Sequence, residues 1–196
     1  MNRRKLTRAL GPKDLRQLDA AAHAAEKAGV PLTVMLTVHL GLLESARHDP
    51  GAYIRRGVVN RLGVWLRRRD IKLTAIWVRE NFDGPAKEHL HLLAHIPNRQ
   101  FSALQSAVGR WWPGSIGHLQ RAYDARQAVR YLSKQMTPQA RFATGFRVQR
   151  QTTCRTTGAA VAPVLGSRVG ISRSLKALIE TGTSPAVNHN SLTPEA

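Results

Sequence analysis

"IKLTAIWVRENFDGPAKEHLHLLAHIP", residues 71–97, reads as two strands joined by a turn-rich connection. Residues 71–80 are rich in β-branched and aromatic side chains, 81–87 gather Asn, Asp, Gly and Pro, and 88–97 return as an apolar run. That returning run also carries His89, His91 and His95. Side chains alternate across a strand, so Leu90, Leu92, Ala94 and Ile96 share one face, and His89, His91, Leu93 and His95 the other. The aliphatic face predicts a core, and the imidazole face a place for chemistry.

Working outward, residues 12–28 open at Pro12, carry Leu15, Leu18, Ala21, Ala22 and Ala25 at helical spacing, and stop before Gly29. Residues 31–40, "PLTVMLTVHL", predict a buried strand. Residues 52–69 predict an amphipathic helix, with Ile54, Val58, Leu62, Trp65 and Leu66 as its apolar stripe and arginines around the remainder. A helix over 98–112, a short strand over 115–123 and a strong helix over 124–136 follow. The order β-α-β-β-α-β-α predicts an α+β fold: a ferredoxin-like, RRM-like antiparallel sheet with helices packed on one face and the other face left for ligand. Residues 1–30 are expected as an N-terminal helical extension, 31–136 as the principal domain, and 137–196 as a basic, partly disordered C-terminal extension.

The 196 residues hold 30 Lys and Arg against 12 Asp and Glu, a formal charge of +18, and 23 of the cations are Arg. Such an excess favours a polyanionic partner, because each phosphate neutralised releases condensed counterions, and the planar guanidinium suits phosphates and stacks on bases. The single cysteine, Cys154, allows no internal disulfide and fits a reducing compartment. The basic N-terminus has no apolar signal run, and no apolar stretch is long enough for a membrane span. A cytoplasmic protein is expected, with no membrane partner. A phosphate-cradling GxxxxGK[ST] loop is absent, which excludes a P-loop motor.

Residues two apart on one strand face lie roughly 6.5–7 Å apart, so His89 and His91 can reach one cation, whereas His95 is about 13 Å from His91. His95 is therefore expected at the surface or on a phosphate. The missing ligand is expected from Glu80, which closes the preceding strand. Pairing Glu80 opposite His89 or His91 puts its carboxylate over the imidazoles; a slip of one residue sends it to the core. Two imidazoles and a carboxylate leave coordination positions open for substrate and suit Mn²⁺ or Mg²⁺ at a phosphoryl site, with Zn²⁺ also compatible.

In "DARQAVRYLSKQM", residues 124–136, Asp124 and Gln127 form a capping-box pattern. Ala125, Ala128, Val129, Leu132 and Met136 make the apolar stripe. Tyr131 lies off it, on the side of Gln127 and Lys134, with Lys134 at i+3. A phenol attacks a phosphodiester only if a cation or a polarised electrophile assists it, and Lys134 supplies charge at the right spacing.

Glu80, "HLH" at 89–91 and "YLSK" at 131–134 resemble the metal and nucleophile motifs of the HUH endonucleases, specifically the single-tyrosine initiators of rolling-circle replication. The resemblance covers roughly residues 32–136. It implies that 31–136 is an HUH endonuclease domain in which His89, His91 and Glu80 hold the divalent cation. It further implies that Tyr131 cuts single-stranded DNA at an origin or hairpin, keeps the 5′ phosphate as a phosphotyrosine and leaves a free 3′-OH, with Lys134 assisting. Unwinding would fall to a host helicase in trans. Strand "TVMLTVHL" matches the family's threonine-bearing first motif only loosely, and Tyr123, eight residues from Tyr131, does not make a two-tyrosine pair. DNA contacts are expected from Arg67, Arg68, Arg69, Trp111, Trp112, His95 and Gln127, by phosphate pairing and base stacking. The alternative readings are a single-tyrosine HUH transposase and a non-enzymatic nucleic-acid binder with an RRM-like sheet.

Overall fold

The computed structural model describes residues 6–82, 87–144 and 160–182. The middle of the predicted hairpin connection, Cys154 with its basic surroundings, and the terminal tail lie outside the described residues. In chain order the elements are β1 (Leu6–Thr7), α1 (Pro12–Lys27), β2 (Val34–His39), α2 (Glu44–Arg47), α3 (Pro50–Tyr53), a π-helical segment (Ile54–Asn60), α4 (Arg61–Arg67), β3 (Ala75–Asn81) and β4 (Glu88–Ala94). Then come α5 (Phe101–Trp111), β5 (Gly117–Arg121), α6 (Ala125–Leu132), α7 (Pro138–Thr144), β6 (Val164–Leu165), β7 (Val169–Ile171) and α8 (Arg173–Gly182).

The main sheet is antiparallel, in the order β5-β2-β4-β3-β7. Its first four members are the ferredoxin-like set predicted from the sequence. The hairpin β3–β4 pairs Ile76 with Leu93, Val78 with His91 and Glu80 with His89. This is the register that keeps Glu80 on the imidazole side. Leu90, Leu92, Ala94 and Ile96 fill the opposite side, in one core with Val34, Leu36 and Val38 and with Ile54, Val58, Leu62, Leu66, Leu104 and Val108 of the two crossover helices. One turn in the first crossover is wider than expected, since Ile54–Asn60 is π-helical.

The second sheet face is not left free. A separate core joins Met35, Ile76, Val78 and Leu93 to Leu15, Leu18 and Ala22 of α1, Val129 and Leu132 of α6, and Leu175 of α8. Three helices from outside the β-α-β-β-α-β unit thus cover this face where it is aliphatic. The reason lies in the strand sequences: Met35, Leu93 and Ile76 line up across β2, β4 and β3 at one end, whereas His39, His89 and Glu80 line up at the other. Burying the first row stabilises the fold by roughly 25 cal/mol per Å² of apolar surface, while the second row gives a helix nothing to pack on.

Residues 160–182 belong to the fold rather than to a loose extension. Strand β7 extends the sheet beyond β3, pairing Ile171 with Ile76, Gly170 with Trp77 and Val169 with Val78. Arg168, fully buried, donates to Thr7 O (3.1 Å), Arg79 O (3.0 Å), Gln135 Oε1 (2.7 Å) and Ala162 O (2.5 Å), tying the segments before α1, after α6 and before β7 to β3. Burial lowers its pKa to about 10, so it stays charged at neutral pH. The Arg79 guanidinium, on the other face of β3, is paired with Glu88 at 2.6 Å out of water.

Gly170 has a steric reason to be glycine, because a Cβ there would lie 2.1 Å from the Trp77 indole. Gly170→Ala should therefore expel Trp77 from β7, with a stability loss of about 1–3 kcal/mol read as a lower thermal midpoint.

Candidate active site

Five side chains converge at the polar end of the second sheet face. His39 and Thr37 come from β2, His89 and His91 from β4, and Glu80 from β3. The rings of His39 and His89 are 4.8 Å apart and those of His89 and His91 6.0 Å. Glu80 pairs opposite His89, yet its carboxylate reaches the diagonal neighbour: Oε2 is 3.3 Å from His91 Nε2. Thr37 Oγ1 is 2.9 Å from His91 Nδ1, which fixes that ring and leaves Nε2 for the carboxylate side.

The helix side of the site comes from α6. Asp124 caps it, its Oδ1 accepting from Gln127 N at 3.0 Å, and Val129 and Leu132 anchor it on the sheet. Tyr131, off that apolar stripe, is 49% exposed and stands edge-on to His91 with ring centres 6.2 Å apart. Beyond α6 the chain tightens into a 3₁₀ turn, Ser133–Gln135. Lys134 Nζ sits 3.0 Å from Glu80 Oε2 and 4.0 Å from the centre of the Tyr131 ring. The turn cannot drift, because Leu10 N donates to Gln135 O (2.9 Å), Thr137 N to Leu10 O (2.9 Å) and Arg168 to the Gln135 side chain (2.7 Å).

The electrostatics follow from burial. Glu80 is 1% exposed, and desolvation alone would raise its pKa, but His91 and Lys134 outweigh it and hold the carboxyl below its ordinary value. Desolvation, with help from His91 and His39, pushes His89 down to about 4, so the ring is neutral at physiological pH. His39 is lowered as well, by burial and then by His91 and His118. The site therefore holds an ionised carboxylate beside a neutral imidazole, the protonation states that metal ligation requires.

Two imidazoles and a carboxylate are donor types that divalent cations accept. His89 Nδ1 and Glu80 Oε1 are buried without a hydrogen-bond partner among the described residues, a cost that proteins seldom leave standing without a use, whereas His91 Nε2 is turned to Glu80 Oε2. Among the described residues no three His, Cys, Asp or Glu side chains are gathered closely enough to hold a metal as they stand. The positive charge beside Glu80 is the Lys134 ammonium.

Other expected contacts fall elsewhere. Trp112 is fully buried, donates from Nε1 to Tyr53 Oη (3.0 Å) and packs edge-on against half-buried Trp111, so both tryptophans belong to the core under α5 rather than to a stacking surface. His95 donates from Nδ1 to Pro31 O (2.9 Å) just past the far end of β4. Arg69 is pinned over the Trp65 ring at 3.7 Å, with its Nε on Gln100 at 3.1 Å, whereas Arg67 and Arg68 are exposed. Gln127 is the exception: it shares with Tyr131 and Tyr123 a groove of about 540 Å³ beside the site. Thr37 and His39 are the residues that sequence reasoning missed. Their signal was the same two-residue alternation that identified His89 and His91.

Two measurements check these charges. Because the folded pKa values of His89 and His39 lie below that of a free imidazole, the unfolded chain binds more protons as pH falls below 6.5, and stability should decline from there toward pH 4. Unfolding titrations should show this as a slope of at most about 1.4 kcal/mol per pH unit for each histidine. Lys134→Met removes a charge that lowers Glu80, so the carboxyl pKa should rise, visible as carbonyl-carbon chemical shift change on titration.

Comparison with protein-family models, with curated proteins and with solved structures finds no match for this chain, so the functional reading rests on the site's own geometry.

Proposed function

We propose that this protein is a metal-dependent single-strand DNA nicking and joining enzyme that acts through a 5′-phosphotyrosine, of the kind that starts rolling-circle replication. One observation carries the reading: a phenol, an ammonium, a buried carboxylate and two imidazoles, drawn from two strands and from a later helix with the turn that follows it, meet within a few ångströms. A structural core would have no reason to collect them.

Glu80, His89 and His91 are the residues that would hold the cation, which in such a site supplies Lewis-acid polarisation of the scissile phosphate. The Tyr131 oxygen attacks phosphorus in line; the bond to the 3′ oxygen breaks as the bond to the phenol oxygen forms. The phenol gives up its proton and the leaving 3′ oxygen gains one, so bonds and charge balance and the reverse reaction rejoins the ends. Lys134 stabilises phenolate character at Tyr131 and the charge that grows on the phosphate. Thr37 holds the ring of His91 so that Nε2 faces inward. The high positive charge of the chain supplies general affinity for the strand. Cover of the sheet by α1, α6 and α8, and histidines rather than aromatics at its polar end, weigh against an RRM-like binder.

Incubated with Mn²⁺ and single-stranded DNA carrying its cleavage sequence, the wild-type chain should form an adduct that survives denaturing electrophoresis. Tyr131→Phe should form at least about a thousandfold less while binding DNA normally. Persistence of the adduct in that variant removes Tyr131 as nucleophile. Mn²⁺ at about a hundredfold its Kd should raise the thermal midpoint by roughly 5–10 °C, and Glu80→Gln or His89→Asn should abolish the rise.

A further inference from the structure

On the sheet face opposite the imidazoles, a groove of about 890 Å³ runs between the first crossover helix and the β7–α8 corner. Its lining brings together five cations, Arg55, Arg67, Lys72, Arg173 and Lys176, against a single acid, Asp70. All five are exposed. They stand on both walls: Arg55 and Arg67 on the helix, Arg173 and Lys176 on α8, and Lys72 on the approach to β3. Between them lie Val59, Ile71, Leu73 and the half-buried indole of Trp77.

Two features make this a built groove rather than a share of the general positive charge. The first is the π-helical segment. In an α-helix, positions four apart drift about 40° around the axis at each step, so Arg55, Val59, Gly63 and Arg67 would wind away from one another. A π turn takes more residues to close, and its four-residue steps drift in the opposite sense. With Ile54–Asn60 in the wider form, all four residues line the same groove. Such segments are rare and recur at functional positions. The second feature is the stitching of the α8 wall to the strand: Ala75 N donates to Ser172 Oγ (3.0 Å), Ser172 N to Ala75 O (2.9 Å), and the Ser174 hydroxyl to Leu73 O. The start of α8 is thereby fastened to the chain that leads from Lys72 into β3.

We propose that this groove is a second nucleic-acid site that takes a single-stranded phosphodiester backbone, independent of the Tyr131 centre. Phosphates alternate toward the two cationic walls, and a base or sugar lies on the apolar floor at Trp77. A duplex would meet only one wall. Placed on the far side of the sheet, the site holds a strand without competing for Glu80, His89 or His91, whose side chains project from the other face.

Anisotropy titrations of the full chain with a fluorescein-labelled oligothymidylate about twenty nucleotides long test this, in EDTA so that no cleavage contributes. The groove variant Arg67→Ala/Lys72→Ala/Lys176→Ala is compared with a charge-matched variant on the exposed side of α1, Lys13→Ala/Arg16→Ala/Lys27→Ala. Over about 50–200 mM salt, the groove variant should bind about tenfold or more weakly and lose about 2 from the slope of log affinity against log salt, as removing three phosphate contacts requires. The α1 variant should stay close to wild type. Equal losses in the two variants, or wild-type binding by the groove variant, would overturn the site. A loss seen with duplex DNA and not with the single strand would overturn the single-strand assignment. Because all six substitutions are of exposed side chains, unchanged thermal midpoints verify that each variant is folded.

Discussion

A carboxylate that is almost out of reach of water has to be kept charged, and the arrangement around Glu80 follows from that constraint. Taking an ion out of water costs several kcal/mol after relaxation, so burial at 1% exposure stands only if opposite charge and polar hydrogens meet it closely. Lys134 at 3.0 Å and His91 at 3.3 Å supply them. Each of these partners is itself placed by something further away. His91 is held by Thr37 on the next strand, and Lys134 by the turn that follows α6.

That turn shows how far the dependence extends. It is locked by Leu10, from just before α1, and by Arg168, from just before β7, so residues more than a hundred positions apart in the chain fix one lysine. Arg168 also binds the carbonyl of Arg79, the residue before Glu80. The segments flanking the β-α-β-β-α-β unit are therefore part of the site's scaffold. They cover the aliphatic half of one sheet face, and at the polar half α6 and its following turn set Tyr131 and Lys134 against His91 and Glu80.

The two faces of the sheet divide the work in a physically simple way. One presents a compact group of titratable side chains in which His91 and Lys134 keep Glu80 ionised and burial keeps His89 neutral. The other, beyond the edge of its core, carries fixed cations on two walls of a groove. The first suits bond-making at one phosphate, as in the nicking we propose; the second suits delocalised grip on a backbone, where affinity comes from counterion release.

Much of this was legible in the strands themselves. Period-two alternation in 88–97 separated imidazoles from leucines, and helical spacing in 124–136 set Tyr131 and Lys134 off the apolar stripe, because backbone geometry alone fixes which neighbours share a face. The ferredoxin-like order β5-β2-β4-β3 followed from element order. Three things were decided only by tertiary structure. Pairing chose Glu80 opposite His89, because a one-residue slip would have buried the carboxylate among the leucines. Long-range contact brought α1 and β7–α8 onto the sheet, as apolar patches in distant segments pair by area and shape and leave no local signature. The fate of each tryptophan and arginine, Trp112 in the core and Arg69 on Trp65 but Arg67 in a groove, depended on neighbours that come from elsewhere in the chain, which no reading of adjacent residues supplies.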